Sequence, residues 1–289
     1  MLSLLRGRGF VNGWTCRRPG SDRVVRGLFS ALVVVVAAAA PLASQAPPSM
    51  PAAPTAGATL RIAVYNIKHG QGMDGTVDLE RVADVLRPLN ADVITLQEID
   101  RGTQRTDGVD QAARLGALLG MEAHFGGFMP YRGGEYGMAV LTRLPVEGVA
   151  NVRLPDGEEP RTSLVVRVAV GPDETPVSVA GIHFYRTLEE RLAQARALTD
   201  HFRGVDHAVV LAGDFNSRRG DSVLSHFLDG WSVLPKEGNT FTYPSDEPAR
   251  EIDFVMVRPA RAFDVIEHRV LEERLASDHR PLLAVLRVR

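Results

Sequence analysis

The chain has one cysteine, Cys16, in 289 residues, so an intramolecular disulfide framework is excluded. Lysine is nearly absent. Lys68 and Lys236 are the only two, and the other 31 basic residues are arginines. No apolar run reaches the ~20 residues that a spanning helix needs. Apolar residues make up 45% and charged residues 24%, which excludes wholesale disorder. The length suits one large domain or two small ones.

What is present is unevenly distributed. Arg6, Arg8, Arg17, Arg18, Arg23 and Arg26 make a basic start, and Leu28 to Leu42 then runs apolar without a charge. Ser44-Gln45-Ala46 follows as a small-x-small cleavage candidate. This is the layout of a secretory signal peptide over residues 1–46, and it predicts a periplasmic or extracellular protein. An uncleaved membrane anchor is the alternative. No cysteine follows the apolar run, so a lipoprotein anchor is unsupported. Residues 47–58, rich in Pro, Ala and Gly, read as a flexible linker, and the folded domain is expected over residues 59–289. Without residues 1–46 the chain keeps 27 basic residues against 34 acidic ones, a net charge near −7. A broad basic footprint for nucleic acid is missing.

Along the domain, Leu60 to Ile67 is β-rich. Asp78 is placed to cap a helix running to about Asn90, with Leu79, Val82, Val85, Leu86 and Leu89 on one face. Ala91 to Gln97 reads as a buried strand ending at Glu98. Asp110 caps a second helix through Leu119. Strand-like runs recur at 137–142, 147–153, 162–170 and 176–184. Thr187 to Glu190 is a capping box that opens a third helix. Residues 208–212, 252–257, 263–270 and 281–288 complete the strands. The mixture implies layers of sheet with helices outside.

The chemistry-bearing residues follow the strand ends, where loops converge. Glu98 offers a carboxylate for a hard cation, and Asn66 a neutral oxygen. An ordinary solvated glutamate is the plain alternative. In Gly213-Asp214-Phe215-Asn216 the glycine allows close backbone approach. The acid there can orient and deprotonate a water, and the amide can donate to a phosphoryl oxygen. An Asx turn is the competing reading. His279, in Ser277-Asp278-His279, suits proton transfer or contact with an anion, with Asp253 as a candidate partner. A hydrogen-bonded loop histidine is the alternative for His279, and a core histidine for His183.

Taken together, Asn66, Gln97-Glu98, Gly181-Ile182-His183, Gly213-Asp214-Phe215-Asn216, Ile252-Asp253 and Ser277-Asp278-His279 resemble the endonuclease/exonuclease/phosphatase superfamily, with its DNase I-like fold. The resemblance covers about residues 60 to 288. It implies an α/β fold, a four-layered α/β/β/α sandwich of two packed mixed sheets with outer helices. It implies a metal-dependent phosphoesterase using Mg²⁺, or Mn²⁺ in its place, and in-line attack of water. Asn66, Glu98 and Asp278 match the metal site. Asp214 matches the residue that activates water, and Asn216 a contact to phosphate. His279 matches the histidine facing the scissile phosphate, and Asp253 the acid that holds it. His183 matches in position, but its neighbours Phe184 and Tyr185 depart from the usual pattern, which bears on substrate contacts.

Further stretches resemble a bacterial subgroup. Within them Arg101, Arg105 and Arg161 could face an anionic group, with loop salt bridges as the alternative. Residues 131–136 read as a glycine-rich turn or a substrate-facing loop carrying Tyr136. Phe128, Met129 and Tyr131 suggest an exposed apolar tip, hence a membrane-lipid contact. The expected partner is a small or lipid-linked phosphoester. Extracellular nucleic acid is the less favoured substrate, and no obligate protein partner is evident. A catalytically silent binding module of the same fold is the third reading.

Overall fold

The computed structural model describes residues 57–289. The signal-peptide expectation for residues 1–46 and most of the linker therefore lie outside the described residues. In chain order the elements are β1 (Thr59–Asn66), α1 (Leu79–Leu86), β2 (Val93–Arg101), α2 (Gln111–Leu119), β3 (Glu122–Tyr131) and β4 (Gly134–Thr142). There follow β5 (Val146–Arg153), β6 (Thr162–Val170), β7 (Thr175–His183), α3 (Leu188–Phe202), β8 (Ala208–Asp214) and α4 (Ser222–Phe227). The last are β9 (Ser232–Val233), β10 (Asp253–Arg258), β11 (Phe263–Val270) and β12 (Leu282–Val288).

The strands form two six-stranded sheets, ordered β11-β12-β1-β2-β4-β3 and β5-β6-β7-β8-β10-β9. Each is mixed: β1–β2 and β7–β8 are parallel, and the other pairings are antiparallel. Alternation assigns the faces. Leu60, Ile62 and Val64 of β1 pack with Val166, Val179, Val210 and Val255 between the sheets. Ala63 and Tyr65 point the other way, onto Val82, Leu86 and Leu115 of α1 and α2. On the far side, Ile182, Leu211 and Phe254 pack on Ala195, Leu198 and Phe227 of α3 and α4. Both faces of the central strands are thus buried, which explains their unbroken apolar runs. The result is the expected four-layered sandwich.

The predicted caps have the expected bonds. Asp78 accepts from Arg81 N–H, Asp110 from Ala113 N–H, and Thr187 from Glu190 N–H. The first helix is shorter than its apolar pattern. Pro88 lies in a 3₁₀ turn after Leu86, and Asn90 closes it in the left-handed region. β2 continues beyond Glu98, and β3, α4 and β9 are elements that the sequence reading passed over. β3 is an edge strand paired only with β4, so Pro130 needs no partner on its open side. Arg132 and Gly133 join β3 to β4, both with positive φ (43° and 83°), as a two-residue primed hairpin turn requires.

Candidate active site

The two parallel strand pairs end at one pocket of about 690 Å³. From the first sheet comes Glu98 of β2, with Asn66, the last residue of β1, hydrogen-bonded to it. The β2–β4 register shifts between Gln97 and Ile99, and Glu98 sits there with φ 58°. This bulge turns the carboxylate into the pocket instead of leaving it in the strand's alternation. From the second sheet come His183 and Asp214, paired in register at the ends of β7 and β8. A Cβ at Gly213 would lie 2.0 Å from Ile182 O, so the strands can approach only with glycine there.

Phe215 fixes the next turn. Its ring is fully buried, in edge contact with Phe184 at 5.5 Å and Phe254 at 5.6 Å. Burying such a ring is worth about 1.5–3 kcal/mol. Driving Phe215 inward leaves its neighbours Asp214 and Asn216 facing the pocket. The expected Asx turn is also present: Asn216 N–H donates to Asp214 Oδ1 at 2.8 Å. Asn216 Nδ2 donates to Phe184 O at 2.9 Å, which leaves one amide hydrogen for a ligand.

Asp253, at the start of β10, lies opposite Asp214 in the sheet. His279 bridges the two acids. Its Nδ1 is 2.9 Å from Asp253 Oδ2, and its Nε2 is 3.7 Å from Asp214 Oδ2. Ser277 Oγ donates to Asn66 O at 2.7 Å and so pins the last loop to β1. Beneath Asp253, the buried Lys236 ammonium donates to Asp253 O at 2.8 Å and to Glu251 Oε1 at 2.7 Å. Lys68, the other lysine, lies 3.4 Å from Asp278 Oδ2.

Electrostatics separate these groups. Burial alone would lower the His279 pKa, but Asp253 and Asp214 outweigh it and hold the imidazole at about 10. Burial, then the Asp253 charge, pushes the Asp214 carboxyl up to about 7. Burial, followed by Arg161 and His279, holds His183 well below its usual value, as a neutral ring. His183 Nε2 is 3.6 Å from Asp214 Oδ2, and its buried Nδ1 has no partner. Burial likewise raises Glu98, against a hydrogen bond from Asn66.

Two groups could hold a cation. One ligand atom from each of Asp214, Asp253 and His279 lies within 4.8 Å of the other two. An imidazolium at the centre of that trio disfavours a second positive charge, so the trio suits proton handling better. Glu98 and Asp278 form the other group. Glu98 is a half-buried carboxylate whose pKa burial raises, with Asp278 raising it further, and a hard divalent cation would relieve both effects. This donor set therefore fits Mg²⁺ or Mn²⁺. Asn66 departs from expectation. Its Nδ2 donates to Glu98 Oε1 at 3.2 Å and Asp214 Oδ2 at 3.1 Å, while its Oδ1 accepts from Lys68 N–H at 3.1 Å. As oriented its nitrogen links the acids of the two sheets, and its oxygen is turned to the Lys68 N–H.

The outlying candidates divide. Arg101 is not in the pocket: it pairs with Glu135 and its guanidinium lies 4.2 Å from the Phe125 ring centroid. Arg105 lines the pocket but is held by both oxygens of Asp100, at 2.6 and 2.8 Å. Tyr136 and Tyr131 line it from the β3–β4 hairpin, so the turn belongs to a hairpin that faces the pocket. Phe128 is buried against His183 and Arg161, so the exposed apolar tip is not there. Arg161 is a buried pocket residue, and Arg186, Arg191, Tyr243 and Arg250, which sequence reasoning missed, join it. Arg186, Tyr243 and Arg250 are single polar residues in loops, and Arg191 is one of several charged residues in the first turns of α3, so no periodic signal would have found them.

Comparison with known proteins agrees with this fold. The chain is 25% identical over 220 residues to the uncharacterized protein YbhP of Escherichia coli K12, covering 71% of this chain and 87% of that one. An endonuclease/exonuclease/phosphatase from Beutenbergia cavernae superposes with a TM-score of 0.65 at 28% identity, covering 80% and 72% of the two chains. A functionally unknown conserved protein from Enterococcus faecalis shares the fold, with a TM-score of 0.69 at 20% identity, covering 80% of this chain and all of that one. The profile described as "Endonuclease/Exonuclease/phosphatase family" matches residues 63–279, from inside β1 to His279. A match of that extent, ending on the histidine that bridges Asp214 and Asp253, is why the chain belongs to the endonuclease/exonuclease/phosphatase family.

Proposed function

We propose that this chain is an exported, Mg²⁺-dependent hydrolase of a phosphate mono- or diester, small-molecule or lipid-linked, that directs an activated water in line onto phosphorus. Family membership points to hydrolysis of phosphoesters. The observation that carries the reading is the Asp253–His279–Asp214 chain at the pocket floor. Asp214 orients the attacking water and takes its proton, a role suited to a carboxyl raised to about 7. His279 keeps a proton on Nε2 and donates it to charge developing on a phosphoryl or leaving oxygen. Asp253 fixes the ring through Nδ1 and maintains its charge. Asn216 adds an amide donor, and neutral His183 limits the tilt of Asp214. Glu98 and Asp278 would hold the cation, which when bound supplies neutralisation of phosphoryl charge.

The export component rests on the basic, apolar, small-residue order of residues 1–46. N-terminal sequencing of the protein from the exported fraction checks it, and an intact residue 1–46 segment would point to the anchor. The substrate component is tested with the 59–289 domain, Mg²⁺ or Mn²⁺, and a panel. The panel holds plasmid DNA, RNA, inositol phosphates, sphingomyelin and bis(p-nitrophenyl) phosphate. Turnover of esters other than nucleic acids is expected. Cleavage of nucleic acids alone would overturn the substrate assignment, and no turnover at all would overturn the hydrolase reading in favour of a silent module.

A further inference from the structure

The pocket is lined by charges of both signs. Its lining includes the acids Glu98, Glu159, Asp214 and Asp278, and with them Arg161, Arg186 and Arg191. Arg161 is only 4% exposed, and its guanidinium lies 4.9 Å from the Phe128 ring centroid and 5.5 Å from that of Tyr185. Its Nη1 is 2.6 Å from Glu159 Oε1 but out of line for a hydrogen bond, and its Nε has no acceptor. Arg191 Nε is also buried without an acceptor, and burial draws that group's pKa down. Among the described residues, Glu159 is the only carboxylate within ion-pair distance of any of these three arginines.

This arginine group is braced before any ligand arrives. Glu190 Oε1 accepts from Glu158 N–H at 2.6 Å, which ties the loop before Arg161 to the first turn of α3. Arg191 Nη1 donates to Arg186 O. Burying guanidinium donors without acceptors is unfavourable, and here the bracing keeps them at fixed positions. Three guanidiniums against one carboxylate leave an excess of two positive charges. On the proposed mechanism the cleaved phosphate is met at the floor by His279, Asn216 and the cation group.

We propose that Arg161, Arg186 and Arg191 form a second anion subsite, so that the substrate carries a second phosphate group besides the one that is cleaved. The inference rests on the phosphoester-hydrolase reading of the same pocket. A phosphate fits better than a single carboxylate because its two negative charges match the excess and its oxygens match the guanidinium fork.

The test is calorimetric binding of propane-1,3-diyl bisphosphate against propyl phosphate, with Mg²⁺ fixed in excess. The bisphosphate should bind at least about tenfold more tightly to the unaltered domain. In Arg186→Gln/Arg191→Gln the preference should shrink to about threefold or less, and Arg186→Lys/Arg191→Lys should keep part of it. Melting curves of both variants confirm folding. Equal Kd values for the two ligands, a preference that survives in the glutamine variant, or an equal loss of both ligands would overturn the subsite. Competition by thymidine 3′,5′-bisphosphate or by vesicles containing phosphatidylinositol 4-phosphate distinguishes a soluble carrier from a lipid one. Displacement by either supports the subsite, and displacement by neither counts against it. Because binding needs no turnover, a bisphosphate preference without ester hydrolysis would sink the hydrolase reading alone. Hydrolysis without the preference would sink the subsite alone.

Discussion

The two sheets carry the same central device and use it differently. In each, a parallel pair (β1–β2 or β7–β8) is flanked by antiparallel neighbours and ends at the pocket. The second sheet delivers His183 and Asp214 in unbroken register, with Gly213 thinning the strand so that β7 and β8 meet closely. The first delivers Glu98 by breaking register, at a residue held in the left-handed region. Under the proposed mechanism, the regular pair would place the acid that directs water and the bulged pair the one that directs the cation. The two should then differ in their response to metal concentration.

The largest effects should come from the second sheet and its partner loop. Asp214→Asn and His279→Gln are each expected to lower turnover of bis(p-nitrophenyl) phosphate by about a thousandfold, with unchanged circular dichroism. Retained turnover in either would remove the assigned roles. Glu98→Gln should cost about a hundredfold at limiting Mg²⁺ and recover in part as Mg²⁺ is raised. The Asp214→Asn loss should not respond to added metal, and an identical response in both would erase the contrast between the sheets.

Asp253→Asn is expected to reduce kcat by about tenfold to a hundredfold and, more tellingly, to move the pH profile. In the unaltered domain, activity should rise as Asp214 deprotonates near 7 and fall as His279 deprotonates near 10. The Asp253 charge raises both groups, so its removal should shift both limbs toward lower pH, by about one unit or more. A stationary alkaline limb would detach Asp253 from His279. The last expected effect is on stability and not on turnover. Gly213→Ala should cost about 3 kcal/mol of stability, read as a lower melting temperature. Gly148→Ala is its control, since an added methyl there meets nothing within 4 Å.

Much of this was legible in the sequence, for identifiable reasons. Apolar runs read as strands because both faces of those strands are buried. Asp78, Asp110 and Thr187 announced helices because a cap is a local interaction. The floor residues could be named because they cluster at strand ends. β3 escaped because Gly126, Gly127 and Pro130 are turn residues, and only an edge position accommodates them. Glu98 looked like a strand end because a bulge leaves no sequence mark. Arg101 and Arg161 were indistinguishable as arginines in loops. Which one meets Glu135 and Phe125, and which enters the pocket, is decided by residues distant in sequence.

The scarcity of lysine has a practical consequence. The chain's only two ε-amines both lie beside the candidate site, at Lys68 and Lys236. The side chain of Lys236 is 0% exposed and that of Lys68 is 32% exposed. An amine-selective reagent, applied once the N-terminus is blocked, should therefore modify a single position at the pocket's edge. That gives a site-directed handle for fluorophores, cross-linkers or affinity tags without any engineered residue.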